Sequence, residues 1–104
     1  MKGMPSVEAV ETVESIGRKM MKELRERAGA EGDGYILWGA TPEELTVSLE
    51  GLAKEVPDLA PYLPGYRAQI RKKGFTLMVI LLDGKTAYTS GAKVPLQVPP
   101  RAKA

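Results

Sequence analysis

The stretch that most constrains this chain is Phe75-Thr76-Leu77-Met78-Val79-Ile80-Leu81-Leu82, eight residues of which only Thr76 is polar. Its β-branched and apolar content predicts a strand. Asp83-Gly84 then provides the dipeptide favoured in type I′ hairpin turns, so Lys85 to Ser90 should return antiparallel. A two-residue turn there sets Leu82 opposite Lys85, Ile80 opposite Ala87, Val79 opposite Tyr88 and Met78 opposite Thr89. An antiparallel strand with one face in water alternates apolar with polar residues, and this one does not. Any fold adopted by the chain must therefore account for both faces of it.

The rest of the sequence supplies material for those faces. Residues 1–5 read as a loose leader. After Ser6, a candidate N-cap, Val7, Val10, Val13, Ile16 or Gly17, Met20, Leu24 and Ala28 recur every three or four positions and predict a long helix closed by Gly29. Three glycines between 29 and 34 make a turn, and Tyr35-Ile36-Leu37-Trp38 a short strand. Thr41-Pro42-Glu43-Glu44 carries an N-cap, a proline at N1 and the glutamate of a capping box. The helix begun there buries Leu45, Leu49, Leu52, Ala53 and Val56 and stops at Pro57. Prolines 57, 61 and 64 stiffen the next connection, with room for a short helical turn around 58–63.

Residues 66–72 fit two readings. Tyr66, Ala68 and Ile70 alternate with Arg67, Gln69 and Arg71, as a strand does; the same residues are good helix formers ending at Lys72-Lys73-Gly74. The alternation favours the strand. The element order is then α-β-α-β-β-β: an α+β two-layer sandwich with two helices on one face of a mainly antiparallel four-stranded sheet. The domain spans residues 1–91, and a proline-rich tail, 92–104, lies extended along the surface or a sheet edge.

In that architecture the core under the helices is formed by Tyr66, Ala68, Ile70, Phe75, Leu77, Val79, Leu81 and Tyr88. The opposite face carries Met78, Ile80, Leu82 and Ala87, flanked by Arg67, Gln69, Arg71, Thr76, Lys85 and Thr89. An apolar centre with a polar rim has the anatomy of a protein–protein interface. Exposing Met78, Ile80 and Leu82 forgoes about 1.5–3 kcal/mol each. Three covers fit: the chain's own long helix or tail, a second copy in a twofold dimer, or nucleic acid.

Charge bears on the last of these. Residues 1–60 hold 7 basic and 12 acidic side chains, net −5, whereas residues 61–104 hold 8 basic and 1 acidic, net +7. Such asymmetry signals either attraction between the halves or contact with a polyanion. Arg67, Arg71, Lys72, Lys73 and Lys85 are the candidate phosphate contacts. The absence of an aromatic ring on that face argues against base stacking on the sheet.

Residue usage narrows the chemistry. With no cysteine and no histidine there is no thiolate nucleophile, no Cys/His zinc site and no imidazole base. Gly84-Lys85-Thr86 lacks the upstream glycine and following helix of a phosphate loop, and Gly29, Gly32 and Gly34 have the spacing GxxGxG ahead of a strand, not GxGxxG after one. Glu31 with Asp33, and Glu43 with Glu44, match no cation-binding loop. Tyr35 and Trp38 fall on opposite faces of one strand, so one is a candidate partner anchor beside its packing role. Lys85 and Tyr88 also have opposite parity and do not converge. No catalytic, cofactor or metal site emerges. Absent asparagine, two glutamines and eight prolines suit a thermophile or a GC-rich genome. With no leader pattern and no membrane-length apolar run, the expectation is a cytoplasmic, non-enzymatic protein. It is expected to act through protein contacts, as a homodimer or with another protein, with nucleic-acid binding as the alternative.

Overall fold

A computed structural model describes the backbone of residues 5–94 and the side chains of residues 12–94. The elements are α1 (Pro5–Ala28), β1 (Asp33–Trp38), α2 (Pro42–Glu55), a 3-10 helix (Pro57–Tyr62), α3 (Leu63–Lys73), β2 (Leu77–Asp83) and β3 (Thr86–Ala92). The fold is α+β with a three-stranded antiparallel sheet, order β1-β2-β3. No described helix is long and apolar enough to cross a membrane.

Local signals set the helix ends. α1 starts at Pro5, which places Ser6 inside the helix instead of at its cap. At its other end Gly29 takes φ 61° and the Ala30 N–H donates to the Arg25 carbonyl at 3.2 Å, the 6→1 bond of a Schellman closure. In α2 the Thr41 hydroxyl accepts from the Glu44 N–H at 3.2 Å. The Glu44 carboxylate reaches back to the Ala40 N–H at 3.0 Å, one residue before the cap.

Residues 66–72 are helical. Tyr66 and Ile70, one turn apart, are the buried residues of α3, while Ala68, which a strand would bury beside them, is exposed. Gly74 closes the helix at φ 70°. The alternation that suggested a strand places Tyr66 and Ile70 in one set, and so does helical spacing; Ala68 alone separates the two readings. The sheet therefore has three strands, and the chain has a third helix to place.

That helix changes the layering. Residues Leu77, Val79 and Leu81 pack on α1 through Val13, Met21 and Leu24. Met78 and Ile80, with Leu82 at the margin, pack on Leu45, Leu49 and Ala53 of α2, Leu59 of the 3-10 helix, and Tyr66 and Ile70 of α3. Helices thus cover both faces of the sheet, not one. Met78 and Ile80 are 0% exposed, so the apolar strip expected to form a dimer interface with Ala87 is the chain's own second core. Leu82 and Ala87 are half-buried at its edge. Burying each large side chain there stabilises the fold by about 1.5–3 kcal/mol.

The hairpin turn is Gly84-Lys85, one residue later than expected, with Asp83 opposite Thr86. Gly84 has φ 65° and Lys85 does not have positive φ, the pattern of a type II′ turn, which asks for glycine at its first central position only. Every pair shifts by two: Leu82 faces Ala87, Leu81 faces Tyr88 and Ile80 faces Thr89. A shift of two preserves parity, so each paired residue of the hairpin stays on its expected face, whereas Phe75, ahead of β2, packs with the Met78 and Ile80 core instead of with Leu77 and Val79. β3 runs on to Ala92, and Val94 exchanges two 2.9 Å bonds with the Thr76 hydroxyl, tucking into the core beside Val13 and Leu77. The remainder of the proline-rich tail, residues 95–104, lies outside the described residues.

Candidate functional site

Basic side chains from the second half of the chain gather where α3 ends. Arg71, Lys72 and Lys73 occupy its last turn and are exposed. Successive residues of a helix point about 100° apart, so the three fan around the helix end. Their charge is favourable beside the negative end of the helix dipole. The extended β3 ladder brings a fourth: the Lys93 Cε lies 3.2 Å from where a Cβ on Gly74 would sit, so its stem crosses the α3 cap. Lys93 escapes sequence reasoning because the strand was expected to end at Ser90.

The other two candidate phosphate contacts sit differently. Arg67 lies one turn before Arg71, and its Nη1 donates to Glu50 Oε2 of α2 at 3.3 Å. Both partners are more than a third exposed, so the pair contributes under about 1 kcal/mol. Together Arg67 and Arg71 line a cleft of about 230 Å³ against Pro42, Glu43, Thr46 and Ile70. Lys85 is on the hairpin turn, at the opposite end of the seven-residue strand β2, about 20 Å away. It does not join the cluster.

Among the described residues two ion pairs form, Arg67–Glu50 and Arg18–Glu14. Of these only the first links the acidic and basic halves, so attraction between the halves does not consume the charge of residues 61–94. Arg71, Lys72, Lys73, Lys85 and Lys93 have no carboxylate within 4.0 Å among the described residues. Of the large apolar side chains described, only Val47 is exposed, which leaves no contiguous apolar patch for a partner. Tyr35 and Trp38 are both half-buried. Trp38 packs beside Val13 and Leu77, on the α1 face.

Near the start of α3, away from the cluster, lies one buried side-chain polar atom that has no partner among the described residues. The Tyr66 hydroxyl is buried and makes no hydrogen bond, while its ring stacks on Tyr62 at 5.8 Å. Burial, and secondarily the neighbouring Tyr62 phenol, push its pKa from 10.0 up to about 12. Among the described residues no three acidic side chains gather to hold a metal ion. Comparison with known protein families, with curated proteins and with solved structures finds no match to this chain.

Proposed function

We propose that the protein is a non-enzymatic binding module whose basic α3 end, formed by Arg71, Lys72, Lys73 and Lys93 with Arg67 one turn back, holds the phosphate backbone of nucleic acid. The observation that carries this reading is that Arg71, Lys72, Lys73 and Lys93, all exposed, have no carboxylate partner among the described residues. Three cations in the last turn of α3, with Lys93 crossing its cap, make one cationic end, and each phosphate contact there releases condensed counterions on binding. No aromatic ring among the described residues is exposed, so bases have no stacking platform and recognition rests on the backbone.

Fluorescence anisotropy with a labelled 20-base-pair duplex across a salt series tests the reading. Affinity should fall linearly on logarithmic axes, each phosphate contact adding about 0.9 to the slope. The combined Arg71→Glu, Lys72→Glu and Lys73→Glu variant should lose binding with unchanged circular dichroism, whereas Lys85→Glu should retain it. Binding that ignores salt, or that survives the triple variant, overturns the reading.

A further inference from the structure

The two rims of the sheet are built differently. At the β3 rim the Tyr62 hydroxyl donates to the Lys85 carbonyl at 3.1 Å and accepts from the Ala87 N–H at 3.3 Å, closing the turn end of that rim, while Thr89 and Gly91 further along face outward. Among the described residues nothing comparable occurs at the β1 rim. The Gly39 N–H donates inward to the Thr76 carbonyl at 3.0 Å, in register with the β1–β2 ladder. Backbone groups alternate in direction along a strand, so residues 33, 35 and 37 also bond inward and Gly34, Ile36 and Trp38 point outward. Outside the ladder, no hydrogen bond among the described residues reaches those three.

Beside this open rim runs a row of cations. Arg18, Lys22 and Arg25, at i, i+4 and i+7 of α1, line a cleft of about 260 Å³ with Met21, Gly34 and Ile36. Arg25 is held in place by donating to the Gly32 carbonyl at 2.9 Å, and its guanidinium extends over Gly34, 3.0 Å from where a Cβ would sit. Arg18 has a 3.7 Å contact with Glu14, both largely in solvent; Lys22 has no carboxylate within 4.0 Å among the described residues. The helix rise separates these cations by about 6 and 4.5 Å along the axis. Alternate residues of an extended peptide are about 6.6 Å apart, so acidic residues at every second position meet the row.

We propose that the β1 rim binds an extended acidic peptide of a partner protein, added as a fourth strand, with its carboxylates against Arg18, Lys22 and Arg25. Charge selects this occupant. A second copy pairing β1 to β1 sets two cationic rows side by side, and residues 95–104 carry Arg101 and Lys103 with no acid. The cleft faces α1, on the side of the sheet away from α3, so this site is separate from the polyanion surface above.

The test uses the full chain and a labelled hexapeptide, Glu-Val-Glu-Thr-Glu-Val, alongside the same peptide N-methylated at alternate amides. The unmodified peptide should bind and slow amide exchange at Gly34, Ile36 and Trp38. N-methylation, which removes strand bonds without changing charge, should weaken binding at least tenfold. The exposed-residue variant Arg18→Glu with Lys22→Glu should do the same with unchanged circular dichroism, while the triple α3 variant should bind the peptide normally. Equal binding of the N-methylated peptide, unchanged exchange at the three amides, or protection of those amides by an oligonucleotide instead of the peptide overturns the proposal.

Discussion

The two faces of β2 are equally apolar but are covered in different ways. Toward α1, Leu77, Val79 and Leu81 meet a single long helix that approaches closely: a Cβ on Gly17 would lie 2.6 Å from Ile36 Cγ2. Toward the other face, Met78 and Ile80 meet three shorter helical segments supplied by the connection between β1 and β2. A strand without alternation needs two covers, and the chain provides one from its N-terminal helix and one from a connecting segment. The difference teaches that equal hydrophobicity does not imply equal construction: one face is closed by a single helix whose glycine sits against Ile36, the other by three segments that share the contact.

Truncation at the strand gives the largest effect and breaks the comparison if either face turns out not to be packed. Leu81→Ala on the α1 side and Ile80→Ala on the α2–α3 side should each cost about 2–5 kcal/mol in urea denaturation. A loss below about 1 kcal/mol at either position means that face is not packed as described. Next, Gly17→Val should cost about 1–3 kcal/mol by overpacking against Ile36. Its counterpart sharpens the contrast: Gly51 in α2 has no atom within 4 Å of an added Cβ, so Gly51→Ala should stabilise by about 0.5–1 kcal/mol through helix propensity.

Smallest at neutral pH is Tyr66→Phe, which removes a buried hydroxyl that has no partner and should leave stability within about 0.5 kcal/mol or raise it. Its signature is in the alkaline range. The folded pKa, about 12, lies above the ordinary 10.0, so burial of the neutral phenol stabilises fully below pH 10, and the contribution decays as pH rises through 12. Tyr66→Phe should therefore flatten the loss of stability between those values. An identical alkaline profile in both proteins locates the titration elsewhere.

Much of the fold is legible in the sequence. Face assignment along Met78, Val79, Ile80 and Leu81 followed from parity and survived a two-residue register shift. Thr41 and Glu44 announced the start of α2, and Gly29 the end of α1. What could not be read was tertiary. Period two and period 3.6 both pair Tyr66 with Ile70, and a strand at 66–72 leaves too few helices to cover both faces of β2, so the packed Met78 and Ile80 strip reads as open. The site was legible in part: Arg71, Lys72 and Lys73 are adjacent in sequence, but Lys93 joins them only through strand pairing, and Lys85 leaves them because β2 carries it away.

Tyr62 has a consequence for assembly. Units with two free rims can add to one another indefinitely, as in fibrils. A phenol seated on the turn end of β3 takes two backbone groups, the Lys85 carbonyl and the Ala87 N–H, out of any edge-to-edge contact, so an incoming strand can pair on that side only beyond Ala87. A single hydroxyl group thereby shortens the length of β3 open to edge-to-edge addition.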